Sequence, residues 1–242
     1  MKILAIIPVY RDIAAAIKVL EKFRAGYIDS VFLVVDSPKK FDGKAIEKTV
    51  AKMPTPVSIV IHGKRKGIGY AIREGIDYGL KHHFDIAVVL AGNNKDNPRE
   101  IPRVLAPILD EGFDYVQGSR FLPGGKKVNN PFFRGVFSRL YPFIWTLFTK
   151  KRCTDVTNGF RSYKLNMFLD KRINIHQDWL DNYQLEYYIH YKALTSGYKT
   201  KEVPVSKTYA FKHKGGYSHI SPFRDWWMIV GPLLYLKLGL KD

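Results

Sequence analysis

Cysteine is almost absent from this chain of 242 residues, in which Cys153 is the only example. A single thiol excludes a disulfide bond within the chain and fits a reducing compartment. No spacing of cysteine and histidine resembles a zinc site. The sequence therefore argues against a small domain held together by disulfides or by structural zinc.

Long apolar runs are also missing. The longest candidate, 226–236, contains Pro232 and is followed by Lys237, whereas a membrane-spanning helix needs about 20 apolar residues. The apolar run 3–9 is too short for the core of a secretory signal. We therefore expect neither a spanning helix nor a secretory signal, and the C-terminal run is better suited to lie on a membrane surface.

Acidic residues are scarce relative to basic ones. The chain has 22 Asp and Glu against 39 Lys and Arg, which gives a net charge of +17 at pH 7. This surplus predicts an anionic partner, such as a nucleotide phosphate, a lipid phosphate, an acidic membrane surface or nucleic acid. A hydrophobic content of 46% argues against disorder, and the length suits one large domain with a full core.

Apolar strands and helical stretches alternate through the first half of the chain. The predicted strands are 3–7, 31–35, 57–61, 86–90 and 115–117, and the predicted helices include 13–23 and 70–81. This alternation predicts an α/β fold with a mostly parallel central sheet and right-handed connections. No repeat or linker divides the chain, so we expect one domain over 1–210 that continues into a basic and amphipathic tail, 211–242.

The segment 84–98 is the most informative single stretch. Its apolar run ends in Gly92-Asn93-Asn94, which is followed by Asp96 and Pro98. Open α/β sheets bind ligands beyond the carboxyl ends of their strands, so a nucleotide or metal is expected at this polar cluster. The alternative is an ordinary turn between a strand and a helix, because Gly and Asn are common turn residues.

Further polar residues follow other predicted strands. Asp36 ends the second strand, where a carboxylate can accept hydrogen bonds from a base or ribose. Two glycines in the basic loop 64–69 precede a helix, and backbone amides at a helix start favour pyrophosphate. Arg120 follows the fifth strand and could reach a phosphate. Asp155 and Arg161 flank an Asn-Gly turn, for which a surface salt bridge is the alternative.

Two segments combine large aromatic residues with basic ones, namely 132–152 and 223–237. The first has apolar residues at helical spacing over a wide face. Such a helix is either part of the core or lies at a membrane surface, with aromatics in the interface and basic residues at lipid phosphates.

Taken in order, these motifs resemble family-2 glycosyltransferases, most closely the dolichyl-phosphate mannose synthase branch. The matching stretches are 7–10, 34–36, 67–71, 116–121 with Gly124-Gly125, 155–161 and 197–204. The resemblance covers about residues 1–210 and implies a GT-A fold and a nucleotide-sugar donor, either a UDP-sugar or a GDP-sugar. It also implies Mg²⁺ or Mn²⁺, a polyprenyl phosphate acceptor, and peripheral attachment to the cytoplasmic face of an anionic membrane.

The resemblance assigns roles to individual residues. It implies donor binding by Pro8, Tyr10, Asp36, Gly67, Asn93 and Asn94, and catalytic roles for Asp96, Arg120 and Glu186. It implies metal binding by Asn94 and Asp96, and acceptor or phosphate binding by Arg134, Arg139, Arg161, His213 and Lys214.

The chain departs from the family pattern at the metal site. The family places Asp-x-Asp where this chain has Gly92-Asn93-Asn94. A carboxamide oxygen is a weaker, neutral ligand for a hard cation, which puts metal use in doubt. The many basic residues could partly replace the metal.

The acceptor is inferred from the chemistry of proton transfer. An alcohol acceptor usually needs a general base, whereas a lipid phosphate is already ionised. The helix that carries Glu186 lacks the Glu-Asp pair of relatives that glycosylate sugar hydroxyls. A sugar hydroxyl acceptor and a non-catalytic nucleotide-sugar-binding protein remain alternatives. Nucleic acid is not expected, because no matching fold signature accompanies the charge.

Overall fold

A seven-stranded sheet forms the centre of the molecule. The computed structural model describes residues 1–36, 43–129, 132–209 and 226–242, without the side chains of 132–135 and 226. The strands are β1 Ile3–Tyr10, β2 Ser30–Asp36, β3 Val57–His62, β4 Ile86–Val89, β5 Tyr115–Ser119, β6 Lys126–Val128, β7 Arg161–Lys164, β8 Thr200–Pro204 and β9 Ser206–Thr208. The helices are α1 Ile13–Leu20, α2 Gly43–Val50, α3 Ile68–Lys81, α4 Ile101–Glu111, α5 Phe132–Thr149, α6 Gln184–Thr195 and α7 Trp226–Lys237.

The strand order in the sheet is β3-β2-β1-β4-β7-β5-β8, and β6 and β9 form a separate parallel pair. The predicted mostly parallel sheet is confirmed, but β7 lies antiparallel between β4 and β5. The sequence pattern did not predict β7, because Arg-Ser-Tyr-Lys has no apolar run. This strand brings the 155–161 motif to the edge where β5 ends.

The sheet is covered on both faces. Alternate residues of β1 contribute to opposite cores, with Ala5 and Ile7 on one side and Leu4 and Ile6 on the other. Helices α1 and α4 cover the first face, and α3 and α6 cover the second. Burial on both faces explains why the parallel strands read as continuous apolar runs.

Helix α5 has one buried and one exposed apolar face. Tyr141 and Trp145 are buried in a third cluster with residues of α6 and α7. The Tyr141 hydroxyl donates to the Ile229 carbonyl at 2.6 Å, which ties α5 to α7. The opposite face exposes Phe143 and other large apolar residues. One side of α5 is therefore core, which was one of the two alternatives for 132–152, and attachment of its exposed side to a membrane stays a prediction.

Among the described residues, no helix is both long enough and apolar enough to cross a membrane. The predicted boundary near residue 210 stays a prediction, and 210–225 lie outside the described residues.

The first turn of α3 packs directly against the backbone of Leu180 and Asp181. The Tyr70 amide donates to the Asp181 carbonyl at 3.0 Å. A Cβ at Gly69 would lie 2.0 Å from the Leu180 carbonyl oxygen, far inside van der Waals contact. Glycine is required there because two backbone segments approach closely.

We predict that Gly69→Ala destabilises the fold through this steric overlap. Overpacking of this kind costs about 1–3 kcal/mol, and each kcal/mol corresponds to about 2–4 °C for a domain of this size. The midpoint of thermal unfolding, followed by circular dichroism, should fall by several degrees.

Gly63→Ala is the matched control, since a Cβ at Gly63 meets nothing within 4 Å. Its midpoint should stay close to that of the native chain. Equal midpoints for the two variants would contradict the close approach at Gly69.

Candidate active site

The ends of β1, β2 and β4 form a polar edge. Tyr10 and Asp36 are register partners at the ends of β1 and β2. The Gly92 amide donates to the Pro8 carbonyl at 2.9 Å, so the loop after β4 is fastened to β1. The structure thus brings the predicted donor-binding residues together at one edge, as expected for an open α/β sheet.

Asp36 joins this edge to the basic loop. Its buried carboxylate accepts hydrogen bonds from the backbone amides of Lys66 at 2.8 Å and Gly67 at 2.9 Å. These two amides are therefore engaged by protein and are not available to a pyrophosphate in this conformation. A contact between Asp36 and a nucleoside stays a prediction, as does donor binding by Gly67.

Two arginines surround the Tyr10 ring. The guanidinium carbon of Arg11 lies 4.8 Å from the ring centroid and that of Arg65 lies 5.2 Å from it. Cation–π contacts of this kind hold basic groups in place at modest energy. They give the edge beside Asp36 a positive rim that suits an anionic ligand.

The loop after β4 contacts two lysines. The Asn94 side-chain oxygen accepts from the Lys22 ammonium at 2.5 Å. Asp96 is buried, and its carboxylate accepts from the Lys207 ammonium at 2.8 and 3.1 Å. Asn93 is exposed, and its side-chain oxygen accepts a hydrogen bond from the Lys95 backbone amide at 3.1 Å in a local turn.

The residues at this loop do not fit a divalent cation. Each of the two predicted ligands, Asn94 and Asp96, already binds an ammonium group. Across the described ranges, no cluster of three or more His, Cys, Asp or Glu side chains is positioned to hold a metal. Hard cations take several oxygen ligands, and the loop offers a single carboxylate, which already has a lysine partner, and the neutral carboxamides of Asn93 and Asn94, the latter bound to Lys22.

Arg120 lies in a buried ion pair with Asp155. Its Nε and Nη2 donate to the two carboxylate oxygens of Asp155, each at 2.7 Å, and Nη1 donates to the Tyr209 hydroxyl at 2.8 Å. Burial opposes the charged form, but the adjacent carboxylate outweighs it and raises the pKa of Arg120. Asp155 thus pairs with Arg120 in the interior and not with Arg161 in a surface salt bridge, and a direct phosphate contact by Arg120 stays a prediction.

Arg161 is also buried. Its guanidinium donates to the backbone carbonyls of Val156, Asn158 and Glu186, which ties the Asn-Gly turn to the start of α6. These contacts make Arg161 a structural link in this conformation, and acceptor binding by it stays a prediction. Glu186 is half-buried, and its side chain lies close enough to Gly159 that a Cβ there would come within 2.7 Å of Glu186 Oε1.

Of the remaining predicted phosphate ligands, the structure describes only the side chain of Arg139. Arg139 is exposed on α5. The Arg134 side chain, His213 and Lys214 lie outside the described residues. Their assignments stay predictions.

Lys207 is the main site residue that the sequence pattern did not predict. A signal was available, because Val203, Val205 and Lys207 are all buried and alternate as strand residues do. A lysine at an inward position of a strand requires a buried anionic or carbonyl partner. Identifying that partner as Asp96 requires the tertiary structure.

The fold and the polar edge define the class of this protein. A solved structure of glucosyl-3-phosphoglycerate synthase from Mycobacterium tuberculosis, in complex with Mn²⁺, UDP and glucosyl-3-phosphoglycerate, aligns with a TM-score of 0.70 at 13% identity. It covers 100% of this chain and 81% of that one. This likeness, with the sheet described above, shows the GT-A glycosyltransferase fold.

The family is given by sequence. The model of the family described as glycosyl transferase family 2 matches residues 4–171, and the chain belongs to this family of glycosyltransferase enzymes. It is 30% identical over 210 residues to the undecaprenyl-phosphate mannosyltransferase of Micrococcus luteus, covering 85% of this chain and 83% of that protein. It is 27% identical over 207 residues to the polyprenol monophosphomannose synthase of Mycolicibacterium smegmatis, covering 85% and 77%.

We predict that Arg120→Met strongly destabilises the fold. The substitution leaves Asp155 buried without its counter-ion, which costs about 3–5 kcal/mol. Urea unfolding followed by circular dichroism should show this loss in the free energy of unfolding.

Arg103→Met is the control, because Arg103 is half-exposed and lies 3.5 Å from Glu100. Surface pairs contribute about 0–1 kcal/mol. A loss at Arg120 no greater than that at Arg103 would show that the buried pair does not hold the site together.

Proposed function

We propose that the chain transfers a sugar from a nucleotide-sugar donor to a polyprenyl phosphate at a membrane surface. The observation that carries this proposal is the exposed apolar face of α5. Leu140, Phe143 and Leu147 are 63%, 73% and 68% exposed. Their spacing of three and four residues puts them on one side of the helix. A contiguous apolar surface of this kind marks an interaction site, and a lipid is the partner that fits the proposed acceptor.

Three basic residues near the end of β5 lie close enough to influence one another, namely Lys127, Arg120 and Arg139. Lys127 of β6 is close enough to Arg120 and Arg139 that burial and their like charges lower its pKa. No carboxylate forms an ion pair with Lys127 among the residues whose side chains are described. An anionic group bound here would relieve this repulsion, so we propose that the phosphate of the lipid binds beside Lys127 and Arg139, with its tail along α5.

The reaction that this arrangement supports is a direct displacement. A phosphate oxygen of the acceptor forms a bond to the anomeric carbon of the sugar, and the bond between that carbon and the nucleoside diphosphate breaks. The acceptor is ionised, so no base has to remove a proton. The protein contributes positioning and neutralises the charge that develops on the leaving diphosphate.

The relatives' names and the net charge support the same assignment. Two relatives carry the names undecaprenyl-phosphate mannosyltransferase and polyprenol monophosphomannose synthase. The charge of +17 favours the anionic cytoplasmic leaflet, where each basic residue near the surface contributes about 1 kcal/mol. We therefore place the protein on the cytoplasmic side, peripherally bound.

A sugar hydroxyl is the second candidate acceptor. Glu186 favours it, because this half-buried carboxylate has no hydrogen bond to its side chain from any described residue. A free carboxylate can act as the general base that a hydroxyl acceptor needs. The exposed apolar face of α5 has no role with a soluble glycan but suits a glycolipid as well as a lipid phosphate. The cluster of Lys127, Arg120 and Arg139 favours the lipid phosphate over a glycolipid hydroxyl.

We predict transfer to undecaprenyl phosphate from one member of a panel of radiolabelled UDP-sugars and GDP-sugars. The product should partition into organic solvent. Asp96→Ala should lower turnover by about 10²-fold or more, because it removes the anchor of a group at the reaction site.

Asp110→Ala is the matched control, since this exposed aspartate lies on α4 away from the polar edge. Unfolding midpoints of both variants separate lost activity from lost structure. Equal turnover in two folded variants would reject the site, and transfer to sugar hydroxyls alone would favour the second candidate.

We predict that the triple variant L140S/F143S/L147S binds acidic vesicles at least tenfold more weakly than the native chain. Burial of each large apolar side chain is worth about 1.5–3 kcal/mol, and partial insertion supplies part of this. Cosedimentation with vesicles measures the effect, and high salt should weaken native binding without abolishing it.

The double variant L109S/L169S removes exposed leucines from α4 and from the 165–169 turn, outside α5. It should bind vesicles as the native chain does. Equal losses in both variants, or no native binding at low salt, would refute the membrane face.

A further inference from the structure

The first position of the Asp-x-Asp pattern is closed to a side chain. A Cβ at Gly92 would lie 2.5 Å from Val9 Cγ2 and 3.2 Å from the Pro8 carbonyl oxygen. The loop is held this close to β1 by the hydrogen bond from the Gly92 amide to Pro8. A carboxylate at residue 92 would therefore require β1 or the loop to move.

Asn94 stands at the second aspartate of the Asp-x-Asp pattern, and its side chain binds a lysine instead of being available to a metal. Asn94 has a left-handed backbone with φ of 57°, and its side-chain oxygen accepts from Lys22 at 2.5 Å. Lys22 follows the end of α1, so the contact joins α1 to the loop after β4. The carboxamide binds an ammonium group here.

Asp96, the later acidic residue of the pattern, binds a second lysine. The Lys207 ammonium contacts both oxygens of Asp96 and the side-chain oxygen of Asn158, the last at 2.9 Å. Strand β9 is fastened to the same loop, because the Thr208 amide donates to the Lys95 carbonyl at 2.9 Å. Lys207 is 9% exposed, which makes it a fixed group and not a mobile surface charge.

Lys207 keeps the capacity to bind an anion. An ammonium group has three N–H donors. In the described structure these donors face the two Asp96 oxygens and the Asn158 oxygen, so a phosphate oxygen would bind by replacing the longest of the three contacts, the one to Asp96 at 3.1 Å. The register partner of Lys207 on β6 is Lys127, so the β6–β9 ribbon carries two lysines on one face. Like charges in directly paired positions are unfavourable, and a bound anion compensates them.

Lysine side chains supply positive charge at the loop after β4 without a metal. Lys95 of the loop and its two partners Lys22 and Lys207 bring three positive charges against the single carboxylate of Asp96, so the loop with its partners carries two net positive charges. We propose that Lys207, held by Asp96 and Asn158 and assisted by Lys22, takes the place of the divalent cation at the donor diphosphate. This inference rests on the proposed function and makes donor binding and transfer independent of metal.

Calorimetric titration of the native chain with UDP and GDP tests the metal independence directly. Affinity in EDTA should equal that in Mg²⁺ or Mn²⁺ within about twofold. Binding that EDTA abolishes and Mn²⁺ restores would overturn the inference while leaving the transferase proposal in place. Binding of neither nucleotide under any condition would remove both.

The double variant K207M/D96N tests the role of the lysine. It removes both members of the pair, so no charge is left unpaired and the net charge of the chain is unchanged. We expect its affinity for the nucleoside diphosphate that the native chain binds, measured in EDTA, to fall at least tenfold. A purely structural ion pair would leave that affinity intact, and this outcome would overturn the inference.

K201M/E111Q is the matched control, because it removes the exposed Lys201–Glu111 ion pair with the same change in charge. Its affinity should stay within about twofold of the native value. K207R, which keeps the charge, should bind more tightly than K207M/D96N. If K207M/D96N does not fold, K207Q/D96N carries the same test, since two amides can hydrogen-bond to each other.

Discussion

The buried ion pair between Arg120 and Asp155 is the contact on which the site depends. It joins the end of β5 to the segment before β7, and the same guanidinium reaches the Tyr209 hydroxyl just after β9. Three stretches that are distant in sequence meet at this one cation. Removing either partner would leave a charge without its counter-ion in the interior, where that is strongly unfavourable.

Buried carboxylates also hold neighbouring groups in place at two other points of the polar edge. Asp36 holds the basic loop through the backbone amides of Lys66 and Gly67, and Asp96 holds Lys207. In each case a buried carboxylate fixes a donor group or cation at the carboxyl ends of the strands. The edge is thereby prepared for an anion before any ligand arrives, which lowers the reorganisation that binding and charge development require.

Family membership and fold likeness account for different parts of this molecule. The match over 4–171 spans all strands of the sheet except β8, together with the polar edge and the Asn-Gly turn. The likeness to a Mn²⁺ and UDP complex shows only the shared fold, because identity is 13%. The close approach at Gly92 and the pairing of Lys207 with Asp96 belong to this chain's own residues. Local geometry, rather than fold, determines whether the loop can take a metal.

The sequence by itself determined the parallel strands β1 to β4, the α/β class and the residues at the strand ends, because buried strands and amphipathic helices leave local patterns. It also indicated that α5 has an apolar face. Tertiary structure alone decided that Tyr141 and Trp145 pack inward while Phe143 stays exposed. It decided that β7 enters the sheet antiparallel, and that Lys207 meets Asp96 across 111 residues of chain. Periodicity shows that a residue faces inward, but the partner it meets there depends on strand order and register, which no local pattern encodes.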